Sequence, residues 1–200
     1  TDGTGLVVDF TYDELLALDA AFEWRPPGGE ADVFPHRGQG IAIPTLEEVL
    51  VAFPTVGVNL DMKSADPRVP EETCAVIRAA GREASVMVAS FLDDNLRRFR
   101  AVCPEVATSA GPDEVLGFYV FNLLGLGRWT APAADAFQVP VRQGSTLIVA
   151  PRMVRGLRER NLRLDVWTIN DEAEMRRLLD LGVGGLITDR PDLALALLGR

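Results

Sequence analysis

The chain is 200 residues long, 48% hydrophobic and 24% charged, with a formal net charge of −9. That size and apolar content suffice for one well-cored globular domain, expected here over residues 1–200. The acidity excludes a general affinity for nucleic acid or anionic membrane, which needs a basic stripe. No apolar run reaches membrane-spanning length and no signal peptide is visible, though the chain begins at Thr1 without a methionine, so a removed leader stays open. Thirteen prolines and eighteen glycines are scattered rather than tandem, which leaves no linker. Cys74 and Cys103 have no metal or redox spacing and read as small core residues.

Thr1 to Gly5 is a turn-rich start. Thr11-Tyr12-Asp13-Glu14 has capping-box spacing and opens a short helix with Leu15, Leu16 and Leu18 on its buried side. Residues 22–44 show neither helical nor strand period, and a stretch of that length predicts a lid-like loop at the mouth of a site, anchored by Trp24, Phe34 and Ile41. A second capping box at Thr45-Leu46-Glu47-Glu48 opens a helix that stops before Pro54. Val58 to Lys63 then reads as a strand. Helices are predicted over 70–82, 93–102, 112–126, 151–160, 171–181 and 191–198, and strands over 85–91, 106–110, 137–141, 163–169 and 185–188. Asn161, which tolerates the left-handed C-cap, marks the end of one helix, and Gly182 stops another.

The strand Val58-Asn59-Leu60-Asp61-Met62-Lys63 organises the rest. Its period of two puts Val58, Leu60 and Met62 on one side and Asn59, Asp61 and Lys63 on the other. In a chain whose other strands are strongly apolar it is expected to be buried on both faces, so its charges need partners. Lys63 is the only lysine, all nineteen other positive residues being arginines. A compact ammonium grips a phosphate oxygen as a point charge where a planar guanidinium would not fit the same place. The alternative is a structural lysine that only neutralises Asp61.

Alternating strands and helices imply a mainly parallel sheet, either open and doubly wound or closed as a barrel. No glycine fingerprint joins a strand to a helix, which removes support for a dinucleotide-binding open sheet. The fold class expected is therefore α/β, a TIM-type (β/α) barrel. Polar residues gather at the C-terminal strand ends, where barrel chemistry sits: Asp61, Lys63, Ser90, Thr168, Asn170, Thr188 and Asp189. Asp93 and Asp171 read as helix N-caps instead.

Three stretches carry a resemblance. They are Asn59-Leu60-Asp61-Met62-Lys63; Ser90-Phe91 with Asp93 and Leu96; and Val166-Trp167-Thr168-Ile169-Asn170 followed by Gly182-Val183 and Ile187-Thr188-Asp189-Arg190-Pro191. Together and in this order they resemble the glycerophosphodiester phosphodiesterase family over nearly the whole chain. The resemblance implies hydrolysis of a small-molecule glycerophosphodiester to glycerol phosphate and an alcohol, assisted by a divalent cation, calcium or magnesium, with two histidines for proton transfer. By position Asp61 corresponds to a metal-binding carboxylate, usually glutamate in the family. Lys63 corresponds to the lysine near the phosphate, and Trp167 to the aromatic ring at the substrate pocket, although a plain core tryptophan would look the same.

Two departures stand out. Gly184 occupies a place where the family usually has aspartate. The family's opening His-Arg-Gly strand, its Glu-x-Asp ligands and its His-Asp strand have no counterpart here, so the barrel is expected to be incomplete, its first strands missing. His36-Arg37-Gly38 spells the opening motif, but Gln39-Gly40-Ile41 and Ile43 to Glu48, directly after it, resemble a later stretch of the family, and His36 reads as an ordinary loop histidine. Two further readings compete: a truncated or degenerate barrel without catalytic activity, serving as an interaction module or as a non-functional fragment, and a different phosphate-handling barrel enzyme, whose expected glycine-rich turn is not offered by Ile187-Thr188-Asp189-Arg190-Pro191.

Overall fold

The computed structural model describes residues 1–26 and 28–199. Pro27, inside the irregular 22–44 stretch, and Arg200 lie outside them. The chain forms two compact units, Thr1–Pro54 and Thr55–Arg200.

In the first unit both capping boxes form as their spacing predicts. Thr11 accepts from the Glu14 backbone and receives the Glu14 carboxylate in return ahead of α1 (Tyr12–Leu16), and Thr45 and Glu48 do the same for α2 (Leu46–Ala52). The tyrosine hydroxyl of Tyr12 reaches Glu48 at 3.2 Å. Between these helices, among the described residues, residues 24–45 form no helix or strand. They are held by side chains instead: Arg37 lies over the rings of Phe22 and Phe34 at 4.1 and 3.8 Å, and Asp19 accepts from the Gly38 backbone at 2.7 Å. The expected anchors Trp24 and Ile41 are both exposed. A guanidinium between two rings anchors the stretch in place of the apolar burial expected of it.

The second unit alternates strands and helices: β1 (Val58–Asp61), α3 (Val69–Ala79), β2 (Val86–Ala89), α4 (Asp93–Val102), β3 (Ala107–Thr108), α5 (Pro112–Leu123) and β4 (Ala136–Pro140). Next comes a short antiparallel hairpin that the sequence did not announce, β5 (Arg142–Gln143) and β6 (Thr146–Leu147). The chain ends in α6 (Pro151–Arg158), β7 (Arg163–Trp167), α7 (Glu172–Leu181), β8 (Gly185–Leu186) and α8 (Pro191–Leu197). Pairing is parallel in the order β1-β2-β3 and β4-β7-β8. The two sets join through a parallel bridge between Ser109 and Ala136 and through Ala110 N–H to Ala136 O at 2.7 Å.

Period two sorts the side chains. On β4 and β7, Phe137, Val139, Leu164 and Val166 are buried in one core cluster with Phe118, Leu157, Met175 and Leu178 from the helices. Burying such a side chain is worth about 1.5–3 kcal/mol, so this layer carries much of the unit's stability. The alternate residues Gln138 and Asp165 point the other way. Gln138 exchanges hydrogen bonds with Asn59 of β1 at 3.1 and 3.3 Å and lies 3.5 Å from Asp165. Strands that are not neighbours can touch through side chains only if the sheet curls, as in a barrel interior. Gly185 belongs to the same layer: a Cβ there would lie 2.4 Å from the Asp165 carboxylate, so the glycine makes room for it.

Three expectations need correction. The polar strand is not buried on both faces: Met62 is buried, but Asn59 is exposed and Asp61 only half-buried, because their face opens into a cavity. Cys74 and Cys103 are not merely small core residues but form a disulfide, since α3 and α4 pack side by side and bring their Cα atoms to 5.8 Å. Asp93 does not cap α4, whose N-cap position is Leu92; its carboxylate accepts from Asp113 N–H at the start of α5 instead. Asp171 does cap α7, Asn161 adopts the left-handed conformation expected of it, and Gly182, which ends α7 as expected, is left-handed too.

A half-buried ion pair holds β3 in place. Arg100 of α4 reaches Thr108 Oγ1 and the Ser109 carbonyl and forks onto Glu114 at 2.8 and 3.2 Å. Burial pushes the Glu114 carboxyl up, but hydrogen bonds from Arg100, Gly111 N–H and Ala133 N–H, with the Arg100 charge, outweigh it and hold the group below the ordinary glutamate range. A depressed pKa means that this stabilisation is complete above the ordinary glutamate range and is lost as pH falls through the lower folded value. Arg100→Ala is therefore expected to cost about 2 kcal/mol near neutral pH, with the deficit shrinking in acid. Urea unfolding of both forms at several pH values checks this; a pH-independent difference would exclude the pair as its source.

Candidate functional site

The C-terminal strand ends surround a cavity of about 610 Å³ lined entirely by residues of the second unit. Asp61 and Trp167 are the last residues of β1 and β7, so parallel strand direction alone delivers them to the same end of the sheet. Lys63 stands two residues after Asp61 on the same face. All three line the cavity.

They are linked by contact. Lys63 Nζ lies 2.5 Å from Asp61 Oδ2 and 4.8 Å from the ring centre of Phe91, and Phe91 meets Trp167 edge to face at 5.9 Å. The Lys63 side chain is 70% exposed and that of Asp61 31%, so the ammonium stays free to meet a ligand while the carboxylate is partly sheltered. A cation over one ring, with a second ring set against it, makes a corner that is positive on one wall and apolar on the other. Sequence reasoning placed Phe91 in a resembling motif without giving it a site role; its position two residues after the strand that pairs with β1 was the available signal. Asn59, Ser109 and Gln138 also line the cavity and were missed as site residues, because single polar residues in strands look alike until the sheet curls.

The fit to a divalent cation is partial. Asp61 Oδ1 is buried and has no hydrogen-bond partner among the described residues, a state that a hard cation would relieve. No second carboxylate and no histidine lines the cavity among those residues. The only group of three His, Cys, Asp or Glu ligands close enough to share an ion, again among the described residues, is Cys74, Cys103 and Glu105, and its two sulfurs are joined in the disulfide. Asp61 is thus a fitting ligand at one vertex, and the rest of a coordination sphere is not supplied by this cavity wall. His36 lies in the first unit, its ring tilted against that of Trp24 at 4.7 Å, with Nδ1 3.4 Å from Gln39 Oε1.

Known proteins match this chain in sequence and in fold. The model of the glycerophosphoryl diester phosphodiesterase family matches residues 1–193. A Mycobacterium tuberculosis protein named probable glycerophosphodiester phosphodiesterase 2 is 35% identical over 160 residues, covering 78% of this chain and 60% of the relative. A glycerophosphodiester phosphodiesterase of Caldanaerobacter subterraneus is 25% identical over 211 residues, covering all of this chain and 76% of its own length. The chain thus spans between about three fifths and three quarters of these relatives. Among solved structures, a phosphodiesterase from Oleispira antarctica in complex with the product sn-glycerol-3-phosphate superposes with a TM-score of 0.71 at 21% identity, covering 100% of this chain and 74% of that one. The glycerophosphoryl diester phosphodiesterase domain of another M. tuberculosis protein reaches 0.80 at 18% identity, with 100% and 78% covered. At such identities the structural likeness establishes the α/β fold alone, but the family match spans nearly every residue, and the chain belongs to the glycerophosphoryl diester phosphodiesterase family.

Proposed function

We propose that this chain carries the phosphate-gripping wall of a glycerophosphodiester phosphodiesterase site, at which a small glycerophosphodiester is cleaved to glycerol phosphate and an alcohol. The observation that supports this most is the convergence of Asp61, Lys63 and Trp167 on one cavity at the C-terminal strand ends. Lys63 places its ammonium against a phosphate oxygen and stabilises charge that grows there as the diester is attacked. Asp61 orients that ammonium through Oδ2 and would offer Oδ1 to calcium or magnesium. When bound, such an ion neutralises phosphate charge and polarises phosphorus. Trp167 and Phe91 flank the substrate and exclude water on the alcohol side. The product complex of the Oleispira antarctica phosphodiesterase is in keeping with a ligand of this size and charge.

In this reading the barrel closes between β8 and β1 with strands that bring further carboxylates and the proton-transferring histidines. A second reading, a catalytically silent barrel, draws on the single carboxylate of the cavity wall. The 200-residue chain with calcium or magnesium is expected to bind glycerol 3-phosphate by calorimetry but to release none from glycerophosphodiesters, for want of the imidazole pair that handles the attacking and leaving oxygens. Supplying the family's His-Arg-Gly and His-Asp strands should restore turnover. Metal-dependent turnover by the chain alone would overturn the incomplete-barrel reading and return His36 to consideration. Absence of both binding and restored turnover would favour the silent barrel.

A further inference from the structure

We infer that Ser90 and Asn95 are positioning residues which fix the Lys63 ammonium at the cavity, an inference that rests on the phosphate-side role proposed for Lys63. Both are buried, at 5% and 3% exposure, and both reach with their side chains to the segment that carries Lys63. Ser90 Oγ donates to the Met62 carbonyl at 2.7 Å and accepts from Leu92 N–H at 3.1 Å. Asn95 Nδ2 donates to the Ser64 carbonyl at 2.8 Å and lies 3.5 Å from Ser90 Oγ. The two carbonyls so held belong to the residues immediately before and after Lys63.

Lys63 lies two residues past Asp61, the last paired residue of β1, and directly after the last ladder bond, Met62 N–H to Ala89 O at 2.8 Å, beyond which the ladder no longer restrains the chain. Clamping the carbonyls on both sides replaces that restraint. It fixes the Met62–Lys63 peptide directly and the Ser64–Ala65 peptide one residue further on, which limits the direction in which the Lys63 Cβ leaves the backbone. The same turn carries Phe91 directly after Ser90, and the Phe91 ring lies 4.8 Å from Lys63 Nζ. Ser90 therefore ties the lysine's main chain to the ring that its ammonium faces. Asn95 stands in the first turn of α4, where a helix would ordinarily use such a side chain to satisfy its own N–H groups. Its amide is committed to another segment instead.

Because Lys63 is the only lysine, reductive methylation with ¹³C-formaldehyde labels one side chain besides the Thr1 α-amine and keeps its positive charge. In the unsubstituted chain the Nζ-methyl resonance is expected to be displaced from the free-lysine position by the Phe91 ring. Ser90→Ala and Asn95→Asp, each of which removes one clamp bond, should move it most of the way back. Ser90→Thr, which keeps the hydroxyl, should retain the displacement, as should the surface variant Arg97→Ala. In a catalytically competent form the clamp variants should lower kcat about tenfold while KM changes by less than about twofold.

A resonance left at the parental position in folded Ser90→Ala and Asn95→Asp overturns the inference whatever the turnover. If Ser90→Ala does not fold, Asn95→Asp and Ser90→Thr decide it by the same reading. A lost displacement with unaltered turnover keeps the clamp and refutes the phosphate role of Lys63, so the two ideas fail separately.

Discussion

Lys63→Arg is expected to lower kcat at least about tenfold in a catalytically competent form of this protein, a loss of about 1.4 kcal/mol or more of transition-state stabilisation. Charge is conserved in that exchange, so what is lost is geometry. The ammonium occupies a place between Asp61 Oδ2 at 2.5 Å and the Phe91 ring at 4.8 Å, where it acts as a point charge with three rotatable donors. A guanidinium at the same position forks onto the Asp61 carboxylate and presents its plane to the ring, which draws its donors away from the cavity. In the 200-residue chain, Lys63→Met should weaken glycerol 3-phosphate binding by at least about tenfold as well, because the cavity wall then offers no cation. Steady-state kinetics and calorimetry read the two effects. Unchanged turnover in the arginine variant would refute the phosphate role even if binding by the methionine variant were weakened.

Reducing the disulfide is expected to remove about 3.5 kcal/mol of stability and to lower the melting temperature by about 10 °C. Cys74 and Cys103 are 29 residues apart and close a loop that contains the second half of α3 and all of β2 and α4. A cross-link over a loop of that length removes a large share of the unfolded chain's freedom. Arg78 supports the same junction by bonding to Glu105 at 2.5 Å and to the Val102 carbonyl at 2.9 Å, but these contacts are exposed and cannot replace the covalent restraint. Melting curves with and without reductant make the comparison, and Cys74→Ala with Cys103→Ala should reproduce the reduced value. Two free thiols in a titration of the native chain, or identical melting curves, would contradict it. Because β2 carries Ala89 and leads into Ser90, loosening this loop should also broaden the Lys63 methyl resonance.

Much of the local structure was legible because its causes are local. Capping boxes act over three residues, so Thr11 with Glu14 and Thr45 with Glu48 announced both helices of the first unit. Left-handed helix ends need only a residue that tolerates positive φ, which is why Asn161 and Gly182 could be placed. Period two separated the two faces of β1, and a single lysine among arginines marked the residue that meets the cavity. Element ends were less legible. The strand expected over 185–188 is only Gly185–Leu186, although Ile187 still bonds through its backbone to Val166 and Ile169, and side-chain and backbone bonds to Asn170 take over at Thr188 and Asp189.

Contacts between distant segments were decided by tertiary structure alone. Nothing in the chain says that Asn59 meets Gln138, 79 residues away; the curl of the sheet does, by turning the inner faces of β1 and β4 toward each other. The disulfide was invisible for the same reason: a separation of 29 residues carries no spacing signal, and only the side-by-side packing of α3 and α4 brings the sulfurs together. The site divides along this line. Residue types that could hold a cation and a phosphate were readable in Asp61 and Lys63 respectively, since charge and strand period are properties of the chain. That Phe91 stands between Lys63 and Trp167, and that Ser90 and Asn95 hold the backbone on either side of the lysine, depends on which strand ends a curled parallel sheet places next to one another.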